Sequence, residues 1–138
     1  MYERLLVAVD HSQITGRVLK AASDLASLAN GEVWVLHLRE AEFMPRAGVI
    51  ANETRDEAQA AVDAAVAELT QAGIKAHGEL RNTLYGHAAK EIIDDARSHD
   101  CGVIIMGSKG RGDLAGLVLG STAHKVIHLA DRPVLVIR

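Results

Sequence analysis

Val103-Ile104-Ile105-Met106-Gly107-Ser108-Lys109-Gly110, followed after nine intervening residues by Gly120-Ser121-Thr122, decides how this chain is read. The apolar run Val103 to Met106, bounded by glycine, predicts a short buried strand that ends in a turn. Glycine has no Cβ, so the backbone of such a turn can approach a ligand closely. The second glycine opens a helical segment, Ser121 to Ala130, with two hydroxyls in its first turn. Unsatisfied N–H groups and the positive end of the helix dipole favour an anion there. Lys109 and Arg111 add positive charge beside it. The pattern reads as a phosphate cradle; the plainer reading is that Gly107, Gly110 and Gly112 only make turns. It is neither a GxxxxGK[ST] loop nor a GxGxxG placed after a strand.

The same alternation of strand and helix extends outward from this stretch. Leu5 to Val9 is an apolar run closed by Asp10-His11-Ser12 and predicts a buried strand. Val18, Ala22, Leu25 and Ala29 then recur at helical spacing, with Ser12 as the expected cap and Asn30-Gly31 as the stop. Val33 to Leu38 predicts a second strand, and residues 40–52, with Pro45 and Gly48, a loop. Thr54-Arg55-Asp56-Glu57 matches a capping box ahead of a helix that Gly73 ends. Ile74 to Leu80 alternates weakly, as an edge strand does. Gly86 to Arg97 predicts a third helix with Ala88, Ala89, Ile92, Ile93 and Ala96 inward, and Val134 to Ile137 a last strand after Pro133. Regular alternation implies parallel strands joined by right-handed crossovers. In open sheets of this kind ligands bind at the strand C-termini, where Asp10, His37-Leu38 and Met106-Gly107 all fall.

Composition narrows the function classes. The 138 residues suit a single domain, and aromatics are only 3%, so Val, Ile, Leu and Ala must fill the core. A net charge of −3 without a basic stripe argues against nucleic acid as partner. One cysteine, Cys101, excludes an intrachain disulfide and a CxxC metal knuckle, and reads as a small core thiol. No apolar stretch is long enough for a bilayer, and Met1-Tyr2-Glu3-Arg4 lacks a signal-peptide layout, so a cytoplasmic location is expected. His124 and His128 have the i, i+4 spacing that zinc enzymes use, but no HExxH or third ligand accompanies them, and they read as surface histidines. His37 reads as structural, and Arg111-Gly112-Asp113 as a coincidental adhesion-like tripeptide.

Gly107-x2-Gly110-x9-Gly120-Ser121 resembles the nucleotide-binding motif of the universal stress protein family. Leu5 to Ser12, Val35 to Leu38, Gly86-His87-Ala88 and Pro133 to Val136 resemble further segments of that family, in order, across the whole chain. The resemblance implies one α/β domain over 1–138: a doubly wound, open, parallel five-stranded sheet of order 3-2-1-4-5, with helices on both faces. It implies membership of the ATP-binding branch, with Mg²⁺ held through the phosphates. Val9 and Asp10 would then lie on the ribose or adenine side and the backbone near Leu38 against adenine. Met106, Gly107, Ser108, Lys109, Gly110 and Arg111 would follow the ribose and phosphates, and Gly120, Ser121 and Thr122 the distal phosphates. Thr122-Ala123 departs from the family pattern, which has an apolar residue and then a hydroxyl there. The resemblance also implies a homodimer through residues 134–137 and a regulatory protein partner. The alternatives are a slow ATPase or nucleotidyl transferase, using Asp113, His124 or Asp10, and a dimeric scaffold that does not bind ATP.

Overall fold

Strands buried on both faces and helices apolar on one face build the fold of this computed structural model, which describes residues 1–110, 116 and 118–138. The elements are β1 (Arg4–Val9), α1 (Thr15–Ala29), β2 (Glu32–Met44), β3 (Gly48–Ala51) and α2 (Arg55–Gln71). They continue with β4 (Ala76–Leu84), α3 (Ala88–Ser98), β5 (Val103–Gly107), α4 (Ser121–Leu129) and β6 (Val134–Ile137). β4, β2, β1, β5 and β6 pair in that spatial order, all parallel. Counted along the chain, these five strands have the expected order 3-2-1-4-5. β3 is an addition, antiparallel to the end of β2.

Period-two alternation in the strands sends side chains to two helix layers. Leu5, Val7, Val33, Val35, Val103 and Ile105 pack with Val18, Leu19 and Ala22 of α1 and Ala65 and Leu69 of α2. Leu6, Leu36, Ile104 and Met106 pack on the other face, against Ala89, Ile92 and Ile93 of α3 and Ala123 and Val126 of α4. Both layers rest on aliphatic side chains, as the scarcity of aromatics requires.

The structure departs from the sequence reading at two places beside the strand ends. Residues 40–52, expected as a loop, instead carry the last part of β2 and all of β3. β2 outruns β1, which stops at the Val9–His37 pair, because β4 continues the ladder as far as Ala41–Leu84 on one side. On the other side β3 takes over, pairing Ala41 with Ala51 and Met44 with Gly48. This arm projects from the core, with Phe43 and Val49 each 65% exposed, so burial imposes no period on its sequence. The second departure is the cap of α1. Ser12 does not cap it; Asp10 Oδ1 instead accepts from the Ser12 N–H at 2.8 Å and from the Thr15 hydroxyl at 3.2 Å, closing the turn before the helix. The helix starts only at Thr15, and its N-cap Ile14 has no side-chain cap. The Thr54–Glu57 capping box of α2 forms as read.

Candidate functional site

A cleft of about 610 Å³ opens where β1, β2 and β5 end, beside the first turns of α3 and α4. Its floor is apolar, with Ala8, Leu36, Ile92 and Met106 among the lining residues. Of the residues expected to bind a ligand, Val9, Asp10, Leu38, Met106, Gly107, Lys109, Gly110, Ser121 and Thr122 line the cleft. Ser108 and Gly120 sit behind the wall, both buried. Their N–H groups have internal partners: Ser108 donates to the Ile137 carbonyl at 2.7 Å and Gly120 to the Ser108 carbonyl at 2.6 Å. The first bond ties Ser108 to β6, and the second closes Gly120, where α4 begins, onto Ser108. Arg111, Gly112 and Asp113 lie outside the described residues.

The wall at Gly107 is tight. A Cβ there would stand 2.6 Å from Ile14 Cδ1, so glycine lets the end of β5 pass close to the turn before α1. At the other end of this wall, α4 has Gly120 as an N-cap with no side-chain cap, and its first helical bond is donated by His124. The N–H groups of Ser121, Thr122 and Ala123 therefore have no intrahelical acceptor, and all three residues line the cleft. Lys109 and Lys125 line it as well. No carboxylate among the described residues pairs with either lysine. An uncapped helix N-terminus flanked by two ammonium groups suits an anion.

The opposite wall holds a group that sequence reading did not assemble. Val9 and His37 are register partners, so pairing of β1 with β2 brings His11 and His37 to the same strand ends. Their rings lie 5.2 Å apart, nearly perpendicular. Glu53, in the link between β3 and α2, bridges them. His37 Nε2 is 2.6 Å from Glu53 Oε1, and His11 Nε2 meets Glu53 Oε2. His37 Nδ1 donates to the Val9 carbonyl at 2.8 Å. The link itself is held from β2: Arg39 Nε donates to the Glu53 carbonyl at 2.9 Å, and the Asn52 N–H to the Glu40 carbonyl at 3.1 Å. Burial pushes the Glu53 carboxyl up, but hydrogen bonds from His11 and His37 more than offset this and leave it below the ordinary value. Glu40, also in the cleft, is raised by burial, only partly countered by His37.

Other side chains singled out in the sequence lie elsewhere. His124 and His128 are exposed on α4, with parallel rings 6.4 Å apart, outside the cleft. Cys101 is buried, and desolvation pushes its thiol up to about 12, which suits an inert core residue. No helix among the described residues is long and apolar enough to cross a membrane.

Comparison with known proteins agrees with this architecture. Residues 1–138 match the universal stress protein family. Universal stress protein YxiE of Bacillus subtilis is 31% identical over 151 aligned positions, covering all of both chains. Among solved structures, MJ0577 of Methanocaldococcus jannaschii superposes with a TM-score of 0.82 at 26% identity, covering 99% of this chain and 96% of that one. A universal stress protein from Archaeoglobus fulgidus, solved in complex with dAMP, has a TM-score of 0.76 at 28% identity, over 99% of this chain and 98% of that one.

Proposed function

The chain belongs to the universal stress protein family, and from that premise we propose that it is a cytoplasmic ATP-binding regulatory module. The base and ribose occupy the apolar cleft between Val9-Asp10, Leu38 and Met106-Gly107. The phosphates run along Lys109 and Gly110 to the N-terminus of α4, where Ser121 and Thr122 present N–H and hydroxyl donors. Mg²⁺ enters with the phosphates, since hard cations of this kind keep most of their waters and take phosphate oxygens. The observation that carries the reading is an apolar cleft that ends on an uncapped helix N-terminus beside two lysines. The dAMP complex of the Archaeoglobus fulgidus relative supports a nucleotide as the class of ligand.

In this reading the N–H groups of Ser108 and Gly120, already bonded to the Ile137 and Ser108 carbonyls, hold the wall and do not donate to phosphate. The shift of hydroxyl at Thr122-Ala123 matters little if backbone N–H groups do the binding. Binding, with slow turnover at most, is favoured over hydrolysis. Asp10 Oδ1 is engaged by Ser12 and Thr15 and Glu53 by two histidines, and Asp113 lies outside the described residues.

Mass spectrometry of nucleotide retained by freshly purified protein, followed by calorimetric titration with ATP and AMP, tests the proposal. Gly110→Val is expected to abolish binding while circular dichroism stays unchanged. Full affinity in that folded variant would remove the cradle from the mechanism. A homodimer along β6 belongs to the same reading: its outer edge has no partner strand among the described residues, and Leu135 is 40% exposed. Light scattering is expected to give a dimer that Leu135→Lys weakens; a wild-type monomer at micromolar concentration would count against it.

A further inference from the structure

We infer that His11, His37 and Glu53 form a binding site for a zinc-class divalent metal ion in the wall of the cleft. The donor set is two imidazole nitrogens and a carboxylate, with ligand atoms all within 4.8 Å of one another. Two histidines and a glutamate, with a fourth position left open, is one of the arrangements that bind zinc at reactive sites. Nitrogen-rich donors of this kind select zinc and its neighbours over magnesium, which prefers oxygen.

The surroundings are built as a metal site requires. His37 Nδ1 donates to the Val9 carbonyl, which fixes the ring and turns Nε2 toward Glu53. Metal-bound histidines are held in this way by an outer acceptor on the other nitrogen. Arg39 anchors the Glu53 backbone, so the carboxylate is positioned before any ion arrives. Donor and acceptor counting points the same way. Both nitrogens of buried His37 face oxygen acceptors, the Val9 carbonyl and the Glu53 carboxyl group. An imidazole with one proton satisfies only one of them; a second proton, or a cation between Nε2 and Glu53, satisfies the other. Tetrahedral zinc ligands sit about 3.3 Å apart. His37 Nε2 and Glu53 Oε1, now 2.6 Å apart, need to separate by less than an ångström. All three residues line the cleft, so the open position faces whatever the cleft holds.

The test uses untagged, nucleotide-free protein, so it is independent of the nucleotide reading. Zinc is titrated in competition with a chromophoric chelator, with cobalt absorption as a second readout of coordination. One zinc per chain is expected, not displaced by excess magnesium. His11→Gln and Glu53→Gln are each expected to weaken zinc affinity at least about tenfold. His11 is partly exposed, so its variant keeps the core intact. The double variant His124→Gln, His128→Gln serves as the surface-histidine control, with affinity expected unchanged. Absence of stoichiometric zinc in the wild type would overturn the inference. So would affinity that survives both His11→Gln and Glu53→Gln, or that is lost in the surface control.

Discussion

Two clusters of histidine and carboxylate flank the β2–β4 half of the sheet, and they differ in what sits between the charges. At the cleft, Glu53 bridges His11 and His37, and no Lys or Arg side chain among the described residues is bonded to its carboxylate. Outside it, Glu79 of β4, Asp95 of α3 and His99 at the C-cap of α3 gather around Arg81. Arg81 donates to Asp95 Oδ1 at 2.7 Å and to Glu79 Oε1 at 2.9 Å, and reaches Glu91 at 3.4 Å. His99 also stacks on Trp34, which has His77 on it too, so the cluster fastens α3 to the sheet. A built-in guanidinium closes the second cluster into a structural tie. The first faces a cleft and keeps its ligand capacity. Similar side chains thus serve different ends, and the deciding difference is the presence of an internal cation.

The largest expected effect breaks the tie. Arg81→Met leaves the fully buried Asp95 carboxylate without its counter-charge and is expected to destabilise the fold by about 3 kcal/mol. Urea denaturation measures it. Nucleotide affinity of the folded variant should stay within about twofold; a parallel loss of affinity would show that the two clusters are coupled.

Glu53→Ala probes the open cluster in the same way. It removes two hydrogen bonds and leaves His37 Nε2 buried without an acceptor, for about 2 kcal/mol. The loss should be local: hydrogen exchange is expected to accelerate across 48–54, where Arg39 and the α2 cap are the remaining anchors. Protection unchanged in that segment would mean that the bridge does not hold the link.

The two clusters also differ with pH. Burial, and then the neighbouring Glu79, push Asp95 from 3.8 up to about 6. Its Oδ2 is buried and has no hydrogen-bond partner among the described residues, so the charged form is poorly solvated. Between about pH 4 and 6 the folded chain therefore binds more protons at Asp95 than the unfolded chain. Stability from this group is full below that window and declines as pH rises through it. Glu79 shifts the other way: burial raises it, but hydrogen bonds with Asp95, His99 and Arg81 lower it further. Its contribution is present above the ordinary carboxylate value and is lost as pH falls below it. Asp95→Asn is expected to flatten the slope between pH 4 and 6 by on the order of 1 kcal/mol, read from denaturation midpoints. An unaltered slope would place the titration elsewhere.

How much of this was legible depended on whether local periodicity or a distant partner fixed each residue. β1, β5 and the glycine pair were legible because burial on both faces leaves unbroken apolar runs, and because turns demand glycine. The 40–51 arm was not, since exposed strands carry no obligatory pattern and its register comes from β4 and β3. Glu53 lies 42 residues from His11 and 16 from His37, so no spacing announces it. One signal was available: pairing the first two predicted strands sets His37 beside Val9, and hence near His11. Lys125 was missed, although a signal was there: it follows Ser121 by one helical turn. The partners of the Ser108 and Gly120 N–H groups were not legible, because Ile137 and the crossover that delivers it are far along the chain.

The smallest expected effect concerns the cations of the cleft that, unlike Arg81, have no carboxylate partner among the described residues. Lys109 and Lys125 border the proposed phosphate path, and their neighbours supply hydroxyls and N–H groups. Contacts between exposed charges are worth only about 0.2–1 kcal/mol, so Lys109→Gln and Lys125→Gln should each weaken ATP binding by no more than about fivefold. AMP, which does not reach so far, should lose less. Screening shortens the reach of exposed charges to about 8 Å at physiological ionic strength, so the wild-type preference for ATP over AMP should narrow as salt rises. Calorimetry with both nucleotides at low and high salt makes the comparison. Equal losses for ATP and AMP would take the lysines off the distal phosphates. The α4 N-terminus would then be left to bind them through its fixed dipoles, which move with no side chain and which neither substitution removes.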